Sequence, residues 1–428
     1  MAWDAPTATG GVRATVRLPG SKSMTARALV LAAIADGPTT LRAPLRARDT
    51  ELMAAGIRAL GPHVATMDDD LWLVRPQPLT GPARIDVGLA GTVMRFLPPL
   101  AALADGSVTF DGDPRARERP LGALLGALAA VGVRIDATPR ADGGGLPLIV
   151  HGTGRVAGGE VTIDASASSQ LVSGLLLAGT GFASGIVVRH AGPPVPSEPH
   201  IRMTVQMLRA AGADVDDSVA NMWRVDPGHL HGLAWDIEPD LSGAAPFLAA
   251  ALVTGGEVTV PQWPRTTTQP GDHLRGLLTD MGGVATITPD GLTVRGTGVI
   301  HGIDADLSQV GELTMVIAAL AVLADSPSTL TGIGHIRAHE TDRLAALRQE
   351  LSALGAGVTE LADGLRIEPR PLTGGVFETY DDHRMAHAGA VIGLAVPGVE
   401  LTDIACTSKT MPEFPALWAT MVRGHDKI

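Results

Sequence analysis

The sequence predicts a two-domain α/β protein built from six repeats, and three observations support this prediction. The 428 residues suffice for two domains that each bury a core. Two different helical patterns each occur six times, and both recur at intervals of about 70 residues. Hydrophobic residues make up 45% of the chain while glycine and proline number 52 and 31, so the chain is globular and rich in turns.

The first pattern is an Ala/Leu-rich stretch, a small or acidic turn and a short β-branched run. ALVLAAIADGPTTL and FLAAALVTGGEVTV are two examples. The stretch predicts an apolar helix and the run predicts a strand. The residues at the six turns are Gly37, Gly106, Gly185, Gly256, Ser326 and Gly398.

The second pattern is an amphipathic helix that ends in glycine, such as TELMAAGIRALG. Glycine is the expected left-handed cap at such an end. Several of these helices are followed by a predicted hairpin, for example 284–287 and 292–294 around Pro289-Asp290-Gly291. Ordinary α/β alternation is the competing interpretation, but two markers with one period favour repeats. The end glycines are Gly61, Gly132, Gly212, Gly282, Gly355 and Gly424.

Six units of this length predict two globular domains of three units each. The seam is expected near 226–232, after the third hairpin. The chain is expected to pass between the two domains a second time near Pro19-Gly20, because the first strand, 13–18, precedes the first helix. The predicted domains are therefore 21–230, and 1–20 together with 231–428.

Composition excludes several classes of protein. Lys and Arg number 33 and Asp and Glu number 45, so the net charge is −12, which argues against general binding to nucleic acid or anionic membranes. The one cysteine, Cys406, excludes an intrachain disulfide framework. The longest uncharged run, 165–188, is too polar and glycine-broken for a membrane helix. The sequence therefore predicts a soluble, cytoplasmic protein.

Small and hydroxyl residues precede the predicted apolar helices, and cations cluster at helix starts. Taken alone, each Ser or Thr is an ordinary N-cap and each Arg an ordinary surface charge. Helix N-termini attract anions, so the repeated occurrence of these residues at helix starts predicts an anion-binding site. Glu312 and Glu340 are plain helix-start acids or, among these cations, candidates for proton transfer. No P-loop or dinucleotide motif is present, and His383 with His387 lacks a third metal ligand. The cations are Lys22, Arg27, Arg119, Arg343, Arg384 and Lys409.

Seven motifs occur along the chain in the order Pro19-Gly20-Ser21-Lys22-Ser23, Ala90-Gly91-Thr92-Val93-Met94-Arg95, Glu118-Arg119-Pro120, Ser168-Ser169-Gln170, Glu340-Thr341-Asp342-Arg343, Asp382-His383-Arg384-Met385-Ala386 and Thr407-Ser408-Lys409-Thr410. Together they resemble the EPSP synthase family of enolpyruvyl transferases over essentially the whole chain. The resemblance implies two domains, each of three βαβαββ units about a pseudo-threefold axis, with the active site in the cleft between the domains. It implies transfer of the enolpyruvyl group of phosphoenolpyruvate to the 5-hydroxyl of shikimate 3-phosphate through a tetrahedral intermediate, without metal or cofactor.

The resemblance also implies residue roles. Glu312 is the expected base, Glu340 the expected proton donor, and Lys22 and Lys409 are expected to stabilise developing charge. Shikimate 3-phosphate is expected at Lys22, Ser23, Arg27, Ser168, Ser169, Gln170, Ser197, Glu312 and His339. Phosphoenolpyruvate is expected at Lys22, Gly91, Arg119, Gln170, Arg343, Arg384 and Lys409. The partners are thus two small molecules, with no nucleic acid or membrane, and the complete set of residues in one chain suggests a monomer.

His339 matches a position that is often Lys in the family. Four further positions depart from the common family pattern: Leu89 for Asn, Glu312 for Asp, His200 for Tyr and Phe96 for Pro. None of these four removes a charge that the mechanism needs. Because Gly91 leaves room beside phosphoenolpyruvate, glyphosate sensitivity is expected. Two alternatives stay open: transfer of the same group to UDP-N-acetylglucosamine, and a non-catalytic anion-binding paralogue.

Overall fold

Contacts between Cα atoms divide the chain into two units. The structure, a computed structural model, describes residues 2–68 and 70–424 apart from the side chain of Asp68. Gly20–Ile237 form the N-unit, and Met1–Pro19 with Glu238–Ile428 form the C-unit. Met1 and 425–428, which the predicted second domain includes, lie outside the described residues.

The segment 231–237 belongs to the N-unit, although the sequence assigned it to the second domain. Its strand Ala234–Asp236 pairs in parallel with the strand Thr39–Arg42, with Trp235 opposite Leu41. Arg42 also donates a hydrogen bond of 3.1 Å to Asp236. Strand pairing therefore extends the N-unit past the turn signal at 226–232, and the crossing lies between Ile237 and Glu238.

Seven α-helices lie in the described part of the N-unit. Ser21 caps the first, and its hydroxyl accepts a hydrogen bond from Met24 N, as expected for serine at an N-cap. The helices are α1 (Lys22–Ala33), α2 (Arg48–Ala59), α3 (Gly91–Ala101), α4 (Pro114–Glu118), α5 (Gly122–Ala130), α6 (Gln170–Gly179) and α7 (Pro199–Ala210).

Three four-stranded sheets complete the N-unit, and all three have the same plan. Each combines one parallel pair with an antiparallel hairpin, in the orders β14-β3-β5-β4, β6-β7-β9-β8 and β10-β11-β13-β12. The strands are β3 (Thr39–Arg42), β4 (His63–Asp68), β5 (Leu71–Arg75), β6 (Ala83–Asp86), β7 (Asp105–Asp111), β8 (Arg134–Thr138), β9 (Gly145–Thr153), β10 (Gly159–Ile163), β11 (Ile186–His190), β12 (Val215–Asp216), β13 (Met222–Val225) and β14 (Ala234–Asp236).

The C-unit has six α-helices in its described residues. Asp342 and Asp382 are side-chain N-caps, accepting from Ala345 N at 3.1 Å and from Arg384 N at 2.9 Å. The α-helices are α8 (Ala245–Thr254), α9 (Leu274–Asp280), α10 (Thr314–Ala321), α11 (Arg343–Ala353), α12 (His383–Gly393) and α13 (Phe414–Arg423); the 3₁₀ helices are Pro270–His273, Gly311–Leu313, Gly334–Ala338 and Ala405–Lys409.

The C-unit sheets repeat the N-unit plan twice, and the third sheet differs. In the third sheet no hairpin follows, and the N-terminal strand β1 pairs antiparallel to β23 instead. The sheet orders are β16-β17-β15-β2, β18-β19-β21-β20 and β1-β23-β22. The strands are β1 (Trp3–Asp4), β2 (Arg13–Thr15), β15 (Glu257–Pro261), β16 (Val284–Thr288), β17 (Gly291–Arg295), β18 (Asp304–Asp306), β19 (Ser328–Thr331), β20 (Gly357–Glu360), β21 (Leu365–Glu368), β22 (Gly375–Phe377) and β23 (Val399–Leu401).

The observed elements confirm the predicted α/β class and its six repeats. All six predicted cap glycines have positive φ, from 80° at Gly424 to 123° at Gly61, where a side chain would be strained. Each unit has its own buried apolar cluster, which includes Phe96 and Phe110 in the N-unit and Phe247 and Phe414 in the C-unit. None of the helices within the described residues is long and apolar enough to cross a membrane.

Candidate functional site

Arg27 is a buried cation in the N-unit whose hydrogen-bond partners are all neutral. It lies on α1 and is 1% exposed. Its Nε donates to Thr204 Oγ1 at 2.7 Å, its Nη1 to Ser23 O at 2.9 Å, and its Nη2 to His200 O at 2.9 Å and Ser173 Oγ at 3.3 Å. Burial lowers the pKa of Arg27 to about 9, because desolvation penalises the charged form. An anionic ligand would supply the charge that these neutral groups do not.

Lys22 begins the same helix and is more accessible than Arg27. Its Nζ is 3.5 Å from Asp49 Oδ2 on α2; the lysine side chain is 21% exposed and the aspartate 2%. The ion pair holds the ammonium beside the N-terminus of α1, where the helix dipole favours anions. Lys22 and the helix dipole would therefore both favour the binding of an anion.

The start of α6 carries three of the predicted binding residues. Ser169 is buried, Ser168 and Gln170 are half-buried, and Ser168 Oγ accepts from Gln170 N at 3.3 Å. Ser197, which precedes α7, has φ of 52°, a left-handed conformation that is strained for serine. Such strain is concentrated at functional positions in proteins.

Gly91 lies at the first position of α3, against the guanidinium of Arg119. Arg119 is 6% exposed and its Nη1 donates to Leu89 O at 3.1 Å. A Cβ on Gly91 would lie 2.8 Å from Arg119 Nη2 and 3.1 Å from Arg95 Nη1. Glycine therefore leaves the two arginines their position beside the N-terminus of α3.

Arg95, one turn further along α3, connects three segments. It is 2% exposed and donates to Pro120 O at 3.1 Å, Gln170 Oε1 at 3.3 Å and Gly91 O at 3.4 Å. Since its oxygen accepts from Arg95, the amide of Gln170 has its NH₂ free for other acceptors. Gly174 permits this arrangement, because a Cβ there would lie 2.2 Å from Arg95 O.

In the C-unit, Glu340 lies between two buried cations. Lys409 Nζ is 2.5 Å from Glu340 Oε1 and Arg343 Nη2 is 2.8 Å from Glu340 Oε2. Asp382 accepts from the same arginine at 2.7 and 3.1 Å. Lys409 and Arg343 are 3% exposed, Glu340 is 9% and Asp382 is 0%. Two cations and two carboxylates thus form one buried network.

The environment of Arg343 favours its charged form. Burial alone would lower its pKa, but Asp382 and Glu340 outweigh that effect and raise it. Its Nη1 also lies 3.0 Å from His339 Nδ1. Arg343 therefore connects the predicted proton donor, the N-cap of α12 and a predicted ligand of shikimate 3-phosphate.

Arg384 follows the same N-cap, and among the described residues no hydrogen bond or ion pair holds its half-buried guanidinium. Burial lowers its pKa, while Glu312, Asp240 and Glu340 act in the opposite direction. A half-buried guanidinium at a helix start is suited to a carboxylate or phosphate.

Glu312 lies in the 3₁₀ turn before α10 and accepts from Ser242 Oγ at 3.3 Å. His335 packs against this turn, since a Cβ on Gly311 would lie 2.6 Å from His335 Nε2. Burial lowers the pKa of His335, opposed by Glu312. The rings of His335 and His339 meet edge to face, with 5.7 Å between centroids. Glu312 therefore has an accessible carboxylate with a hydroxyl donor and a neutral imidazole nearby.

The structure gathers the predicted residues within each unit and adds others. Gln170 and Gly91 meet through Arg95; Glu340, Arg343 and Lys409 meet directly, and His339 joins them. Sequence reasoning gave no role to the residues that position these groups, which are Asp49, Arg95, Ser173, Thr204, Ser242, His335 and Asp382. Arg95 and Asp382 were visible as members of motifs, and the spacing of Arg95 four residues after Gly91 places both on one helix face.

No group of three or more His, Cys, Asp or Glu side chains within 2–68 and 70–424 could hold a metal. His383 and His387 instead lie buried, with ring centroids 5.8 Å apart and His387 4.5 Å from the ring of Phe414. Burial, with Arg384 nearby, lowers the pKa of His387 to about 3. The pair belongs to the aromatic core of the C-unit.

The two α/β units of three sheets each hold buried arginines and the buried Lys409 among carboxylates and hydroxyls, a chemistry that suits small, multiply anionic ligands. The sequence matches the family described as EPSP synthase (3-phosphoshikimate 1-carboxyvinyltransferase) over residues 6–418. A 3-phosphoshikimate 1-carboxyvinyltransferase of Kocuria rhizophila is 54% identical over 98% of this chain and 96% of that protein. The chain therefore belongs to the EPSP synthase family.

Solved structures agree at the level of the fold. An EPSP synthase from Acinetobacter baumannii has a TM-score of 0.80 at 24% identity, covering 97% of both chains. A second structure of EPSP synthase from the same organism has a TM-score of 0.78 at 23% identity. The two-domain enolpyruvyl transferase fold expected from the sequence is thereby confirmed.

Proposed function

We propose that the buried clusters of the two units bind the substrates and move the protons in an enolpyruvyl transfer. The chain is a 3-phosphoshikimate 1-carboxyvinyltransferase: it transfers the enolpyruvyl group of phosphoenolpyruvate to shikimate 3-phosphate in the shikimate pathway. The observation that carries the residue assignment is the position of Glu340 between Lys409 and Arg343, two buried cations that both contact its carboxylate. UDP-N-acetylglucosamine as acceptor has no support in the family match.

In the N-unit, the cradle around Arg27, formed by Thr204, Ser173 and the His200 carbonyl, suits shikimate 3-phosphate. Arg27 lacks a carboxylate partner among the described residues, so an anionic substituent of the substrate would complete its environment. Lys22 adds a second cation at the start of the same helix. Hydroxyls and an amide would then bind the substrate's remaining oxygens; the proposed donors are Ser23, Ser168, Ser169, Gln170 and Ser197.

Phosphoenolpyruvate has a carboxylate and a phosphate, and both suit arginine forks and lysine. The proposed N-unit contacts are Lys22, Gly91, Arg119 and Gln170. The proposed C-unit contacts are Arg343, Arg384 and Lys409. Arg384 has no ionic partner among the described residues, so it can take an anion without breaking an existing pair.

The chemistry requires one proton to leave a hydroxyl and one to reach a carbon. Glu312 removes the proton of the 5-hydroxyl of shikimate 3-phosphate, whose oxygen bonds to C2 of phosphoenolpyruvate. Glu340 gives a proton to C3, which becomes a methyl group, so C2 becomes a tetrahedral centre. Glu340, now a carboxylate, then takes back a methyl proton as phosphate leaves C2, which regenerates the double bond in the product. Lys22 and Lys409 stabilise the departing phosphate.

The C-unit network places the carboxylate of Glu340 against the cations that are proposed to bind phosphoenolpyruvate. In the free protein two cations flank this carboxylate. An anionic substrate at Arg343 and Lys409 would share these cations with Glu340. The network would thus couple substrate binding to readiness for proton transfer.

The test is phosphate release from purified protein with both substrates, and with each substrate alone. Release only with both substrates is expected, and Glu312→Gln should abolish it while shikimate 3-phosphate still binds. Binding of both substrates without release would favour a non-catalytic paralogue. Release with UDP-N-acetylglucosamine in place of shikimate 3-phosphate would identify the other acceptor.

The remaining assignments have their own measurements. The proposed reaction uses no metal or cofactor, so dialysis against EDTA should leave phosphate release unchanged. All proposed contacts lie in one chain, so a monomer in the cytoplasm is expected, and sedimentation would measure its mass. Glyphosate should compete with phosphoenolpyruvate, and competition no stronger than that of inorganic phosphate would contradict this.

A further inference from the structure

The face of an aromatic ring supports the buried guanidinium of Arg27. Its Cζ lies 5.2 Å from the centroid of the Phe96 ring. Both side chains are almost fully buried, at 1% and 0% exposure. Among the described residues no carboxylate pairs with Arg27, so this ring face is the negative electrostatic partner that accompanies its neutral hydrogen bonds.

The ring has a distinct task in the free protein. A buried cation without a carboxylate is unstable and tends to leave for solvent. The negative face of a benzene ring within about 6 Å offsets part of that cost, and the offset is larger where water is excluded. The ring of Phe96 therefore favours a guanidinium that stays beside Thr204, Ser173 and the His200 carbonyl.

The position of Phe96 in the fold adds a second consequence. It lies on α3 beside Arg95, which holds the amide of Gln170. Adjacent residues of one rigid helix thus fix a cation and an amide in the same unit.

We propose that Phe96 is a positioning residue for shikimate 3-phosphate, because its ring face holds the Arg27 guanidinium in place to receive the substrate's anionic group. The inference rests on the proposed function, in which Arg27 binds that substrate. If the negative potential of the ring face is reduced, Arg27 moves out of its buried position in the free protein. Part of the free energy of substrate binding is then used to return Arg27 to that position, so the substrate binds more weakly.

The sharpest test changes the ring's electrostatics and keeps its shape. Phe96 is replaced by mono-, di- and trifluorophenylalanine, and the same series is made at Phe182, an N-unit phenylalanine of 1% exposure that has no cation over its ring in the described residues. The dissociation constant of shikimate 3-phosphate, both KM values and kcat are measured. Phe96→Leu against Phe182→Leu gives the same comparison without unnatural residues.

Along the Phe96 series we expect shikimate 3-phosphate to bind progressively more weakly, by about 5-fold at full substitution. The KM of phosphoenolpyruvate should stay unchanged, as should every parameter of the Phe182 series. No trend at position 96, or an equal trend at position 182, would overturn the inference, since a merely structural role predicts one of these.

Arg27→Met separates this inference from the function on which it rests. A loss of shikimate 3-phosphate affinity in Arg27→Met together with a flat Phe96 series would refute the role of Phe96 alone. Unchanged affinity in Arg27→Met would refute the role of Arg27, and the inference about Phe96 with it.

Discussion

Glu340→Gln separates the two tasks that the structure gives this carboxylate. The glutamine side chain has the same length, but it cannot carry the negative charge that Lys409 and Arg343 share. Its NH₂ group would also face one of the two cations, because Lys409 and Arg343 contact different oxygens of Glu340 and glutamine replaces one of these with a donor. Both the stability of the C-unit and the proton-transfer step should therefore suffer.

The burial of the network gives the size of both effects. Removing one partner of a buried ion pair costs about 3–5 kcal/mol, and we expect about 3 kcal/mol because Asp382 still pairs with Arg343. For a unit of this size that lowers the transition temperature by about 6–12 °C. Loss of a general acid lowers kcat by about 10²–10⁴-fold. Calorimetry and substrate-dependent phosphate release measure the two quantities.

Glu360→Gln is the matched control. Glu360 also lies between two cations, Arg337 and Arg348, in the same unit, but its side chain is 25% exposed. We expect at most about 1 kcal/mol of destabilisation and an unchanged kcat. Inorganic phosphate should restabilise Glu340→Gln more than Glu360→Gln, because only the former leaves buried cations that need an anion.

A kcat for Glu340→Gln within 10-fold of the native value would refute Glu340 as the proton donor. Equal destabilisation by the two substitutions would refute the argument from burial.

Three further substitutions test other parts of the structure. Gly91→Ala should leave stability nearly unchanged, because the nearest atoms to the added Cβ are the side-chain ends of Arg119 and Arg95. Displacement of these arginines should raise the KM of phosphoenolpyruvate and weaken inhibition by glyphosate, which steady-state kinetics would measure. Gly174→Ala should cost about 1–3 kcal/mol, measured by chemical denaturation, because its Cβ meets the backbone oxygen of Arg95 at 2.2 Å. His387→Phe should make the stability less sensitive to acid. The buried histidine stays neutral in the folded protein down to about pH 3, whereas in the unfolded chain it takes up a proton below about pH 6.5. The free energy of unfolding of the native protein should therefore fall by about 2 kcal/mol between pH 7 and pH 5 through this residue, a loss that the variant avoids and that thermal unfolding at the two pH values would measure.

Each of these predictions has a result that contradicts it. An unchanged KM of phosphoenolpyruvate in Gly91→Ala would refute the proposal that Arg119 binds this substrate. A Gly174→Ala protein as stable as the native one would mean that α3 and α6 separate at little cost. Parallel stability losses on acidification of native protein and His387→Phe would show that His387 does not titrate on unfolding.

The contrast between local and distant contacts decides which features the sequence could predict. The cap glycines and the helix starts at Ser21 and Asp342 follow from spacing and chemistry within one turn, so they could be predicted. The place of 231–237 could not, because it depends on pairing with a strand that precedes it by almost two hundred residues. The same holds for β1, which pairs with β23 near the other end of the chain.

The candidate residues show the same division. The motifs located Glu340, Arg343 and Lys409 individually, but no pattern indicated that Asp382, 39 residues beyond Arg343, completes their network. Arg95 was visible only as part of a motif, and its partner Gln170 lies 75 residues away.

The sequence by itself determined the α/β class, the six repeats, the family and the identity of the charged groups, since all of these are written in local spacing and motif order. Only the tertiary structure decided how those charges are balanced. Arg343 lies against two carboxylates, whereas Arg27 lies among neutral acceptor oxygens and against the ring of Phe96. The physical reason is that the energy of a buried charge depends on the groups that surround it in space, and packing brings those groups from distant parts of the chain.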